Sequence, residues 1–150
     1  MNIKTIGDPC LRVRSEEVTE ITPEIKQLAK DMIECMEESG GIGLSAPQVG
    51  ENIRLIVGYF FDDKVAKLIN PKIVKKSGTK VAHPEGCLSC PDYDNTIARD
   101  NDIMLSAKAL NGMHIVKRMQ GFRARIIQHE IDHLNGTLIT DYYNEDEDNG

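Results

Sequence analysis

Between Gln120 and Leu134 the apolar residues Phe122, Ile126, Ile127, Ile131 and Leu134 recur at helical spacing, and the same stretch carries His129-Glu130-Ile131-Asp132-His133. Such a helix is doubly constrained. Its apolar stripe must meet a core, and two imidazoles one turn apart point together to one side, where both can reach a single metal ion. Glu130, about 100° round the helix from His129, falls beside such an ion rather than on it, where a carboxylate can take a proton from an activated water. Asn135-Gly136 supplies the stop. Two histidines can also simply fill a helix face, so the pair needs a further ligand before it means catalysis.

A catalytic site of this kind uses three protein ligands and keeps one position open. Glu85-Gly86-Cys87-Leu88-Ser89 offers a thiolate in a stretch with no strong helix or strand pattern, read as a loop, and Cys87 is the ligand taken from it. Cys90 supplies the rival reading. With Cys87 it forms Cys-x-x-Cys, so Cys87, Cys90, His129 and His133 could close around a structural zinc and make a non-enzymatic interaction module. Against that reading, the interval from Cys90 to His129 far exceeds that of a short zinc finger, and Glu130 would have no task. A redox dithiol fits less well, since Cys90-Pro91 runs on into Asp92-Tyr93-Asp94-Asn95 instead of opening a helix.

A third segment, Gly41 to Gly50, is dominated by small residues and follows the first helix directly. Its Gly-x-Gly lacks the further glycine and the Lys-Ser/Thr end of a phosphate-binding loop. Gln48 gives it value, because its amide N–H can donate to an oxyanion if the loop packs beside the metal.

The remaining pattern fits 150 residues around a single core. Thr22-Pro23-Glu24 starts a helix whose apolar positions are Ile25, Leu28, Ala29, Met32, Ile33 and Met36, and Ser39-Gly40-Gly41 ends it. Ile53 to Phe61 reads as a buried strand, and Lys67 to Val74 as one that Pro71 pushes to an edge. Ile103, Leu105, Ala107 and Ala109 alternate into an Asn111-Gly112 reversal, and Met113 to Met119 returns as a hairpin. The expected fold class is α+β. Residues 1–143 form the expected catalytic domain and residues 144–150 an acidic, flexible tail.

Charge and hydropathy narrow the partners. The formal charge is −6, but five acids lie in the last ten residues and the rest is within one charge of neutral. No basic excess is present to neutralise phosphates, so direct DNA binding is not expected. No apolar run approaches the roughly 18 residues of a membrane helix, and the polar start lacks the plan of a signal peptide. A cytoplasmic location without a membrane partner follows as the expectation.

Taken together, the three segments resemble the peptide deformylases. That family's patterns, Gly-apolar-Gly-apolar-Ala-Ala-x-Gln, Glu-Gly-Cys-Leu-Ser and Gln-His-Glu-x-Asp-His-Leu-x-Gly, appear in order as Gly41 to Gln48, Glu85 to Ser89 and Gln128 to Gly136. The likeness runs from Ile6-Gly7-Asp8-Pro9 through Ile69-Asn70-Pro71 to about Asp141. It implies antiparallel sheets packed around a central helix that carries the His-Glu-x-x-His segment. It also implies one divalent ion held by Cys87, His129 and His133. Ferrous iron (Fe2+) is the expected ion, with Zn2+, Ni2+ or Co2+ as alternatives that such ligands suit.

The reaction implied is removal of the formyl group from N-formyl-methionyl nascent peptides, releasing formate as part of N-terminal processing in protein biosynthesis. Glu130 would serve as general base and then acid, while Gln48 and the backbone N–H of Leu88 would stabilise the oxyanion. An apolar, unbranched side chain would enter a pocket of Ile42, Gly43, Gly86, Phe122 and Ile126. Any ribosome contact would be transient and would use a surface other than the acidic end. The chain departs from the pattern at Ser45, where the family usually has alanine, at Cys90, where an apolar residue is usual, and at Asp94, where some members carry an arginine. Arg99 matches a common arginine and is expected to pair with Asp132. His83 is a possible substitute ligand, and His114 is expected to be filler on the hairpin.

Overall fold

A computed structural model of the chain describes residues 1–62 and 64–142; the acidic tail expected at 144–150 lies outside the described residues. The first helix, α1 (Pro23–Glu38), begins where the sequence sets it. Thr22 Oγ1 accepts from the Ile25 N–H at 3.3 Å, Pro23 occupies the first turn, and Gly40 leaves the helix with φ +71°. After it come β1 (Gly43–Ser45), a 3-10 turn (Ala46–Val49), β2 (Leu55–Phe61) and β3 (Lys64–Lys76). The chain continues through β4 (Lys80–Cys87), β5 (Cys90–Asp100), β6 (Asp102–Lys108), β7 (His114–Gln120) and α2 (Gly121–Leu134).

The strands form two antiparallel sheets, one of five strands in the order β1-β2-β3-β6-β7 and one made by the β4-β5 hairpin alone. The near-continuous apolar run of β2 follows from burial on both faces. Leu55 and Val57 pack with Ala29, Met32 and Met36 of α1, whereas Ile56 and Phe60 pack with Ile127, Ile131 and Leu134 of α2. Thus α1 covers one face of the larger sheet, and α2 lies between its other face and the hairpin. Arg54, buried at the head of β2, fixes the far end of α2 by donating to the carbonyl of Leu134 at 3.1 Å and to Asn135 Oδ1 at 3.0 Å.

Two local expectations are corrected. Pro71 does not lie on an edge, because β3 is paired with β2 on one side and β6 on the other. The ladder is irregular between Ile69 and Lys72, with Asn70 at φ +51°, so the missing N–H of Pro71 falls in an interruption of the pairing. Glu85 to Cys87, read as loop, closes strand β4, and only Leu88-Ser89 turns before β5 begins. Strand β4 escapes a pattern search because, of its eight residues, only Glu85 is buried. Among the described residues no helix is long and apolar enough to cross a membrane.

Candidate metal centre and its cavity

Helix α2 presents His129 and His133 from successive turns, their rings 5.1 Å apart between centroids and inclined at 68°. The hairpin brings Cys87 to meet them. Its Sγ lies 3.3 Å from His133 Nε2, and one donor atom from each of Cys87, His129 and His133 falls within 4.8 Å of the others. A thiolate and two imidazoles suit a divalent transition ion, and the spacing leaves a common point for one. Cys90 is not part of this group. It packs among Leu11, Ile97, Leu138 and Ile139, and burial pushes its thiol up to about 11, the behaviour of a small hydrophobe. The four-ligand zinc site is therefore not what the residues form. His83 is exposed and bonded to the carbonyl of Pro84, and His114 is exposed beside Ser106, so neither joins the cluster.

Glu85 orients the first histidine. Its Oε1 lies 2.8 Å from His129 Nδ1, which leaves Nε2 to face Cys87 and His133. The same carboxylate takes a two-pronged contact from Arg99 at 2.9 Å on each oxygen and a further one from Arg125. Burial opposes its charge, yet Arg99 and His129 hold it down at about 2. Arg99 also reaches Asp132 at 2.6 Å, the expected pair, and Tyr142 adds its hydroxyl to both. Sequence reading missed Arg125, Tyr142 and the orienting part of Glu85. The signal for Arg125 was its position one turn before His129 on the same helix face.

Burial also opposes charge on His129, but Cys87, Glu85 and Glu130 outweigh it and raise its pKa to about 10. His133 is pushed well below the usual range by burial, then by His129 and Arg99. Any metal held there would have to displace the proton that His129 holds, so its binding would weaken with acidity.

Glu130 is 4% exposed, and burial raises its pKa from 4.5 to about 7. Its buried Oε1 has no hydrogen-bond partner within the protein, so an acceptor is left unsatisfied beside His129. The room for this carboxylate is made by Gly43, since a Cβ there would lie 2.7 Å from Glu130 Oε2. Gln48, fully enclosed by the 3-10 turn, directs its Nε2 to Ser89 Oγ at 3.1 Å and to Cys87 Sγ at 3.7 Å. Leu88 sits in the hairpin turn next to Cys87.

These residues floor a cavity of about 510 Å³ whose wall includes Ile42, Gly43, Gly86, Phe122 and Ile126, the five expected pocket residues. Ile42 and Phe122 stand at its mouth, 47% and 58% exposed, and Ile126 lies deep at 6%. Three donor atoms, an unpartnered carboxylate oxygen and an amide N–H2 thus converge beside a largely apolar hollow, an arrangement suited to hydrolysis of an amide next to an apolar side chain.

Known proteins resemble this chain over most of its length. A family model described as Polypeptide deformylase matches residues 1–149. The peptide deformylase of Dictyoglomus thermophilum is 43% identical over 139 residues, covering 93% of this chain and 90% of that relative. Among solved structures, the peptide deformylase of Thermotoga maritima superposes with a TM-score of 0.90 at 37% identity, covering 93% of this chain and 95% of that one. A probable peptide deformylase from Synechococcus phage S-SSM7 gives 0.90 at 44% identity, with 95% and 99% covered. The Synechococcus elongatus peptide deformylase, solved in complex with actinonin, gives 0.92 at 39% identity, with 99% and 82% covered.

Proposed function

Because the chain belongs to the polypeptide deformylase family, we propose that the cavity beside Cys87, His129 and His133 receives an N-formyl-methionyl peptide and that its formyl group is cut there. The protein is a metal-dependent hydrolase that removes N-formyl groups, and a non-enzymatic zinc module is not supported. The observation that carries the site assignment is the convergence of the three donor atoms with the buried, unpartnered Oε1 of Glu130.

Cys87, His129 and His133 would hold the ion. The ion supplies Lewis acidity that brings the pKa of a water toward neutrality. Glu130 takes the proton of the attacking water and returns it to the departing amine, a task that suits a carboxyl whose pKa is about 7. Gln48 Nε2 and the backbone N–H of Leu88 donate to the oxyanion, and loss of one such donor typically costs about 3 to 4 kcal/mol. Ile42, Gly43, Gly86, Phe122 and Ile126 receive the methionine side chain. We take the native ion to be ferrous iron, with availability rather than affinity order deciding occupancy. A cytoplasmic location and a transient contact with the ribosome, from which formylated peptides emerge, belong to the same reading.

Formate release from a formyl-Met peptide tests the activity, and metal content tests the ligands. Cys87→Ala is expected to lose both metal and turnover, whereas Cys90→Ala keeps both. Actinonin, which the Synechococcus elongatus relative binds, is expected to compete with the peptide. Metal retained in Cys87→Ala but lost in Cys90→Ala would reverse the ligand assignment. Elemental analysis after anaerobic purification decides between iron and zinc.

A further inference from the structure

Gln48 serves an oxyanion only if its Nε2 end, not its oxygen, faces the reacting carbonyl. The backbone N–H of Ser45 settles that orientation. It lies 3.0 Å from the Gln48 side-chain oxygen, and since an N–H can only donate, the atom it meets must be Oε1. The Ser45 hydroxyl meets the same oxygen at 3.1 Å, and Ser45 is completely buried. Both lone pairs of Oε1 are therefore filled from one residue. At the other end of the amide, Nε2 donates to Ser89 Oγ at 3.1 Å and reaches Cys87 Sγ at 3.7 Å. Donation into Oε1 draws electron density along the amide and makes its N–H2 the stronger donor, while two anchors on one atom stop rotation about the last side-chain bond. Alanine, usual at this position in the pattern this chain resembles, would leave only the backbone anchor.

We propose that the Ser45 hydroxyl is a positioning group for catalysis, holding and polarising Gln48 so that, with one Nε2 hydrogen kept on Ser89 Oγ, the other meets the Cys87 thiolate at rest and is shared with the oxyanion when it forms; this rests on the deformylase reading of the site. Ser45→Ala keeps a small buried side chain, so the fold is preserved and the hydroxyl alone is lost. The kcat for formyl-Met peptide is expected to fall about 2- to 10-fold, the range that one net hydrogen bond supports, with KM within about twofold. In a Gln48→Ala background the same substitution is expected to change kcat by less than about twofold, because its means of action is gone.

A second readout does not depend on turnover. In the cobalt(II)-loaded protein, the thiolate-to-metal charge-transfer band is expected to move to lower energy in Ser45→Ala, since a weaker N–H···S contact raises the sulfur lone pair. No such move is expected when Gln48 is already alanine. Equal losses of kcat in both backgrounds, or a band and kcat unchanged by Ser45→Ala, would overturn the proposal. If the wild-type protein shows the band but releases no formate, the deformylase reading fails while the band shift still decides the link between Ser45 and Gln48.

Discussion

Glu130 shows what a single buried carboxyl costs and what it gives. It is almost fully enclosed, has an oxygen without a partner, and its pKa rises from 4.5 to about 7 because burial disfavours the charge. The folded protein therefore holds the proton more tightly than the unfolded chain. Between about pH 4.5 and 7 the unfolded state gives up a proton that the native state keeps, so stability falls as pH rises and the penalty is complete above 7. Glu130→Gln should remove it. The metal-free variant is expected to be more stable than the wild type by roughly 1 to 3 kcal/mol at pH 8, with no advantage at pH 4. Its loaded form should keep the metal and lose turnover by about 10²- to 10⁴-fold. Urea melts at the two pH values, set beside formate release, check both halves. A variant that is no more stable at pH 8 would mean that Glu130 finds a compensating partner.

At the scale of elements, the site is a junction between the β4-β5 hairpin and α2, and Glu85 is its rivet. Its carboxylate binds Arg99 of its own hairpin and both Arg125 and His129 of the helix, which places Cys87, two residues further on, against the two histidines. The depressed pKa of Glu85, about 2, means that its contribution is fully present above about pH 4.5 and is lost as pH falls toward 2. Glu85→Gln leaves two buried guanidinium groups short of a charged partner. It is expected to destabilise the protein by about 3 to 5 kcal/mol at pH 7 and by less at pH 3. It should also weaken metal binding about 10- to 100-fold through the lost hold on His129. Denaturant melts and metal titration measure the two effects, and an equal loss of stability at both pH values would refute the ionic account. Helix α2 was legible in the sequence because its core-facing side repeats Ile126, Ile127, Ile131 and Leu134. The hairpin was not, because it is fastened through Glu85, Arg99 and Arg125, whose partnership spans 40 residues and leaves no apolar alternation to find.

Over the whole molecule, three segments far apart in sequence must meet, and the first sixteen residues lace them together. The Lys4 N–H donates to the Gln48 carbonyl at 2.7 Å, the Ile6 N–H to the Ser89 carbonyl at 2.8 Å, and the Ser15 N–H to the Leu134 carbonyl at 2.8 Å. One N-terminal arm, interrupted by a 3-10 turn at Pro9–Arg12, thus touches the loop that carries Gln48, the hairpin turn after Cys87 and the end of the histidine-bearing helix. Nothing in Met1 to Glu16 announces this, since the arm has neither helical nor strand periodicity and its pairing is with distant backbone. The site residues themselves were readable because their chemistry demands particular side chains at short spacing, whereas their support uses peptide groups that any residue supplies. Deleting residues 2–7 should therefore leave both helices and the sheets in place while freeing Gln48 and Ser89. Losing these two ties should cost on the order of 1 to 3 kcal/mol, lowering Tm by roughly 3 to 10 °C. Far-ultraviolet circular dichroism at 25 °C should be unchanged, and kcat should drop more than the fraction of folded protein does. A truncated protein with full kcat would show that the Gln48 loop and the hairpin turn keep their places without the arm.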